Sequence, residues 1–262
     1  MKLLKKIGKA FVVAFSIYSK IPMPRFNWES EDMRYHLCFF PWVGAVIGGL
    51  EYLWYLFCDA RGLGSVLFVS IAITIPILVT GGFHLDGFMD TCDSLHSYQD
   101  REKKLEILKD PHIGAFAVIC LVAYLFLAMG AMAAIYEAGI GAEGIAILCI
   151  GFALSRALSG ISVVTMQSAK KKGMLTTFSE TAGKKTVFVI LLVQAALCCG
   201  AMLLLSSHQG LLVISSMVLT YFYYWYKSKK EFGGITGDLA GYFVSLAELV
   251  QCLSLAVYVI FR

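Results

Sequence analysis

The chain of 262 residues is 58% hydrophobic and only 15% charged, whereas soluble domains are roughly half apolar and a quarter charged. With a mean hydropathy of +0.73, an ordinary water-soluble enzyme is excluded. The net charge of +4 requires no nucleic acid, because lysines gathered on one membrane side facing anionic headgroups account for it. The eight cysteines form no C-x-x-C pair and fall mostly in apolar runs, which argues against a zinc or disulfide framework.

Residues 1–20 place lysines ahead of a short apolar stretch with no A-x-A-like cleavage site after it, the pattern of an amphipathic helix lying at the membrane interface. Apolar runs long enough to cross a bilayer, about 20 residues each, follow at 37–58, 64–82, 113–135, 144–166, 186–206, 211–227 and 243–261. The expected architecture is therefore all-α, a polytopic membrane bundle of about seven spans plus the interfacial helix. No polar linker divides it, so residues 1–262 are read as one domain.

Lysine and arginine placement orients the bundle. The N-terminal lysines, Arg34, Arg101, Lys103, Lys104, Lys109, Lys170, Lys171, Lys172, Lys184, Lys185, Lys227, Lys229 and Lys230 alternate onto one side, while the opposite connections carry Arg61 alone. The cation-rich side is expected to be cytoplasmic, in the cell membrane.

Between the second and third runs the chain reads Gly81-Gly82-Phe83-His84-Leu85-Asp86-Gly87-Phe88-Met89-Asp90-Thr91-Cys92-Asp93. On a helix the spacing i, i+4, i+7 stacks the three aspartates along one face. Carboxylates at a membrane entrance are costly and mark function, and oxygen-only ligands suit Mg²⁺, which shares its shell with substrate phosphates. The chemistry expected is phosphoryl or diphosphate transfer. Arg101, Lys103, Lys104 and Lys109 stand nearby as candidates to hold phosphate oxygens; topology alone would also explain Lys103 and Lys104.

A second polar constellation, Gly233-Gly234-Ile235-Thr236-Gly237-Asp238, leads into the last run, where Asp238, Gly241, Ser245 and Glu248 share a helix face. Glycines there would let backbone N–H groups approach an anion at a helix start. Within the runs lie two further ionisable residues, Glu51 and Arg156, which could pair with each other; Arg156, in the cytoplasmic half of its span, could reach a phosphate.

The stretch from Gly81 to Asp93, followed by Arg101, Leu105, Lys109-Asp110 and Ile113-Gly114, resembles the signature of the cobalamin synthase family. Ile21-Pro22-Met23-Pro24, Phe40-Pro41-Trp42-Val43-Gly44, Ser155-Arg156 and the G-G-x-T-G-D motif at 233–238 agree in order. Departures are Ser19-Lys20 in place of threonine-arginine, Lys172-Gly173-Met174-Leu175 in place of a glycine-leucine-glycine pattern, and Ala247 before Glu248 where threonine is common. The resemblance implies a Mg²⁺-dependent transferase that joins adenosylcobinamide-GDP with α-ribazole or its 5′-phosphate, releasing GMP. It further implies Asp86, Asp90 and Asp93 as metal ligands, with one of them or His84 accepting the hydroxyl proton. Lys109 takes a catalytic role, and Arg156, Arg101, Gly234, Thr236, Asp238 and Glu248 are substrate contacts. Association with a second copy, or with other cobalamin-assembly enzymes, is a further expectation.

Alternatives are another Mg²⁺-dependent membrane transferase, of the CDP-alcohol phosphotransferase or prenyltransferase kind, and a transporter. The first lacks its D-x-x-D-G-x-x-A-R pattern here, the second its repeated aspartate motif. A transporter would show paired inverted repeats, which are not evident.

Overall fold

The computed structural model describes residues 2–29, 31–169 and 183–262. The cluster Lys170–Lys172 and the departure at 172–175 lie outside them. The described residues hold ten α-helices: α1 Lys2–Tyr18, α2 Phe40–Arg61, α3 Ser65–Thr80, α4 Phe83–His96, α5 Arg101–Ile107, α6 Ala115–Glu137, α7 Gly141–Thr165, α8 Lys184–Leu205, α9 Ser207–Lys227 and α10 Gly237–Ile260. A 3-10 segment, Asp32–Phe39, runs into α2, and a π turn, Ser228–Phe232, follows α9.

A helix stands at each of the seven expected runs. Five helical stretches are long and apolar enough to cross a bilayer, and a sixth counts if α3 and α4, bent by 94°, are taken as one broken or re-entrant span. The helix at the sixth expected run, α9, falls short of that apolarity measure, while its 21 residues carry the chain back to the end of the bundle that holds 228–238. Ser207, His208 and Gln209 open it and a tyrosine-rich turn closes it, so its apolar content is too diluted by polar groups.

α7 is the central helix: 83% of its apolar window is buried, against 22% for α6 and for α8. Leu53, Val66, Phe126, Leu197, Leu204 and Phe222 of the outer helices are exposed, as expected where the surrounding solvent is lipid. The central position follows from small residues. Gly44 and Gly48, one turn apart on α2, lie so close to Phe152 and Cys149 of α7 that a Cβ at either would run into the α7 backbone. This is the small-xxx-small approach by which membrane helices gain contact without a hydrophobic drive between them.

α1 is amphipathic, but its apolar face does not lie open for headgroups. Ala10, Val13, Ala14, Phe15 and Tyr18 are buried, against the 3-10 segment and the start of α2, while Lys6 and Lys9 pair with Glu31 at 2.6 Å and Asp32 at 3.0 Å. The interfacial helix is thus built into the protein.

The connections sort to opposite ends. At one, Ser65 donates to Glu137 at 2.5 Å and Tyr136 to the Leu63 carbonyl at 2.8 Å, joining the α2–α3 and α6–α7 turns. At the other, the segments 80–114, 165–169 and 228–238 converge, and these hold nearly all the polar residues singled out above.

Candidate active site

The acidic helix exists because two glycines turn the chain. Gly81 (φ 67°) and Gly82 (φ 78°) adopt the left-handed conformation, which costs glycine little and other residues about 1 kcal/mol or more, and they swing α4 across the end of the bundle. Lys20, in the segment leaving α1, is fastened at this bend, its N–H donating to the Val79 carbonyl at 2.7 Å. A groove there is lined by Ser16, Ser19, Lys20, Gly81, Asp86 and Met89, among others. Lys20 was not singled out as a site residue from sequence; the signal was present, because Ser19-Lys20 stands where the resembling family has threonine-arginine.

At 100° per residue, Asp86, Asp90 and Asp93 fall within about 60° of arc on α4, and His84 lies about 160° from Asp86. Asp86 is exposed and Asp90 and Asp93 are half-buried. Asp93 is committed elsewhere: its carboxylate accepts the Gly114 N–H at 2.6 Å and the Ala117 N–H at 2.9 Å. It caps the first turn of α6, where donors have no intrahelical partner and a negative charge is favoured. Gly114 fits because any Cβ there would strike that carboxylate. Accordingly, no three His, Cys, Asp or Glu side chains converge to hold a metal among the described residues. Asp93→Ala is expected to lower stability by about 1–2 kcal/mol, seen as a lower melting temperature in detergent, with Asp93→Asn losing less because an amide oxygen still accepts.

Asp238 reaches the acidic helix through close backbone approach. A Cβ on Gly87 would sit 2.6 Å from the Asp238 carbonyl, and one on Gly241 would sit 3.1 Å from that of His84. α4 and the start of α10 are therefore in contact along a glycine seam, and Asp86, Asp90 and Asp238 belong to one neighbourhood. Thr236, by contrast, is buried as the N-cap of α10, accepting from the Leu239 N–H at 3.2 Å and donating to Asp238 Oδ2 at 3.3 Å. Gly234 lies against the chain at 167–169, where the Ile235 N–H donates to the Gln167 carbonyl and the Ala169 N–H to the Ile235 carbonyl, both at 2.9 Å. Closeness at Gly234 thus serves a backbone pairing, and the Thr236 hydroxyl serves a cap.

Cations frame this end. The Arg101 guanidinium lies directly over Gly233, whose left-handed φ of 71° also disfavours any Cβ. Lys109 is exposed beyond α5. Lys104, buried, donates to Glu231 at 2.5 Å, and with Arg101 it ties α5 to the glycine loop. That hydrogen bond holds the Glu231 carboxyl below its ordinary 4.5. A lowered folded value adds stability that is complete above the ordinary value and lost as pH falls through the lowered one. Glu231→Gln is therefore expected to flatten the fall of melting temperature with pH below 4.5, with little change at neutral pH beyond the lost pairing.

Deeper in the bundle, Arg156 of α7 donates to Glu248 of α10 at 2.6 Å and to the Phe152 carbonyl at 2.8 Å. Ser155 also donates to Glu248, at 3.3 Å. The pairing of Arg156 with Glu51 allowed by the sequence does not form: Glu51 is buried on α2, and its Oε1 has no hydrogen-bond partner among the described residues. His84 is buried beside Phe40 and Phe83, with neither ring nitrogen partnered among the described residues.

No solved structure matches the chain. Its sequence is similar to curated proteins named adenosylcobinamide-GDP ribazoletransferase. That of Lachnoclostridium phytofermentans is 40% identical over 245 residues, covering 94% of this chain and 92% of the relative. That of Clostridium perfringens strain 13 is 31% identical over 254 residues, covering 97% and 100%. A relative from a Geobacillus species is 28% identical, covering 94% of each. The family model described as cobalamin-5-phosphate synthase matches residues 10–256, nearly the whole chain, and the protein belongs to that family.

Proposed function

We propose that the protein is an adenosylcobinamide-GDP ribazoletransferase, completing the nucleotide loop of cobalamin at the acidic end of its bundle. The carrying observation is the pair Asp86 and Asp90 on an exposed turn of α4, with Asp238 brought beside them by the Gly87 and Gly241 seam. In the reaction the 5′-hydroxyl of α-ribazole, or of its phosphate, attacks the diphosphate of adenosylcobinamide-GDP. A new P–O bond forms, the P–O bond to GMP breaks, and the hydroxyl proton passes to a base.

Two carboxylates with oxygen donors only, one of them exposed, fit Mg²⁺ held jointly with substrate phosphates rather than in an all-protein cage. Asp93, spent on α6, is not needed for that mode. When bound, Mg²⁺ would neutralise diphosphate charge. Asp86 or Asp90 takes the hydroxyl proton, being on the side where the phosphates sit; His84, on the far side of α4, does not. Arg101 over Gly233, Lys20 beside Asp86, and Lys109 at the rim supply positive charge for phosphate oxygens, and the start of α10 favours an anion. Arg34, Arg101, Lys103, Lys104, Lys109, Lys227, Lys229 and Lys230 all belong to this end of the bundle, so the site faces the cytoplasm from the cell membrane.

The test is conversion of adenosylcobinamide-GDP and α-ribazole by the detergent-purified chain, following GMP and cobamide together with and without Mg²⁺. Mg²⁺-dependent formation of both in equal amounts is expected; folded protein that forms neither sinks the reading.

A further inference from the structure

Behind α4 lies a cavity that the acidic site does not use. It is a narrow, partly open hollow of about 70 Å³, or about 680 Å³ with the open space before it included. Its walls are largely apolar, with Ile73 and Ile77 of α3, Ala128 and Met132 of α6, Phe152 of α7 and Leu249 of α10. Its polar lining is Thr80, His84, Tyr124, Arg156, Ser245 and Glu248. His84 is 5% exposed and Arg156 1%, and both His84 ring nitrogens and Arg156 Nε lack a hydrogen-bond partner among the described residues. Donors and acceptors left open in so buried a place are costly unless a ligand meets them.

The charge balance says what kind of ligand. The guanidinium is already paired with Glu248 at 2.6 Å, so the cavity offers no net positive charge and is a poor seat for phosphate. Apolar walls with a few fixed polar atoms suit a flat, uncharged ring bearing a nitrogen or two. Position says which part of the substrates this is. The cavity and the Asp86 groove share Thr80, Gly82 and Leu85 as lining, so the two hollows meet over the glycine bend. A molecule with a ring in one and a hydroxyl in the other would pass across that bend, and a nucleoside has that form. Because apolar groups make up most of the walls, the ring with fewer polar edge atoms is favoured over guanine, which the other substrate carries.

We propose that this cavity holds the heterocyclic base of the incoming nucleoside, an uncharged benzimidazole-type ring, with His84 and Arg156 Nε hydrogen-bonded to ring or ribose atoms. The assignment rests on the transferase reading above. It makes His84 a positioning and specificity residue rather than the base of the reaction.

Benzimidazole itself is the probe. With the full-length enzyme in detergent it is expected to inhibit competitively against α-ribazole and not against adenosylcobinamide-GDP. Ala128→Phe, which fills the cavity from α6, is expected to raise KM for α-ribazole at least tenfold while leaving KM for the corrinoid nucleotide within twofold. Competition against the corrinoid nucleotide, or an unchanged α-ribazole KM in folded Ala128→Phe protein, overturns the assignment. If wild-type protein makes no cobamide, the transferase reading fails separately, and saturation-transfer NMR still reads the cavity. Benzimidazole signals seen with wild type and lost with Ala128→Phe support the subsite, and their absence with wild type removes it. If Ala128→Phe does not fold, His84→Phe replaces it with the same readouts and the same overturning results.

Discussion

Asp90→Asn is expected to lower Mg²⁺-dependent turnover at least about 100-fold, a loss of roughly 3 kcal/mol in transition-state stabilisation at 1.36 kcal/mol per decade. The amide keeps the shape of the side chain and removes the charge, so the loss belongs to chemistry rather than to packing. Asp90 is half-buried on α4, one turn from Asp86 and on the same face, where two carboxylates repel unless a cation lies between them. The amide should also raise the Mg²⁺ concentration needed for half-maximal rate, which a merely structural residue would not do. Asp93→Asn separates the roles. Its carboxylate caps α6 through Gly114 and Ala117, so its variant should lose melting temperature with the Mg²⁺ dependence unchanged. Steady-state rates across a Mg²⁺ titration, beside melting curves of the same preparations, check both. Near-full turnover by Asp90→Asn would remove the metal role assigned to it.

Arg156→Met is expected to destabilise the bundle by about 3–5 kcal/mol, because it leaves the Glu248 carboxylate buried without its partner. Glu248→Met alone strands the guanidinium with the same consequence. The double variant Arg156→Met/Glu248→Met should be much closer to wild type in stability than the sum of the two, since apolar pairs of similar volume often replace buried ion pairs at little cost. Reversible unfolding in mixed detergent, run as a double-mutant cycle, measures the coupling. Additive losses would mean that the 2.6 Å contact contributes nothing between the two helices. The double variant also bears on the cavity, because it removes the charged pair that lines it.

Much of the site was legible because it is local. The spacing of Asp86, Asp90 and Asp93 is a property of one helix, and periodicity alone places them on a common face. The paired glycines at 81 and 82 marked a turn before an acidic helix. Thr236 carried a readable signal of a different kind: a threonine just ahead of an apolar run is an N-cap, and its hydroxyl accepts from the Leu239 N–H. Other assignments depended on distance along the chain. The capping of α6 by Asp93 joins residues 21 and 24 apart, and nothing in the spacing of the aspartates shows that the third is spent on another helix. Arg156 had two buried carboxylates to choose from, 105 residues before it and 92 after, and only the packing of α7 against α10 selects Glu248. Lys20 joins the Asp86 groove because the segment after α1 docks on the bend after α3.

By itself the sequence determined the membrane class, the helical architecture with its polar residues at one end, and an acidic face suited to phosphate chemistry. Each of these follows from composition or from periodicity within a single helix, which tertiary context does not alter. Only the tertiary structure decided that Asp93 is hydrogen-bonded to the start of α6 and that His84 faces a buried cavity instead of the aspartates. Those outcomes turn on which helix faces meet. Glycine contacts such as Gly44 with Phe152 and Gly87 with Asp238 set those meetings between segments far apart in the chain, where local pattern carries no information.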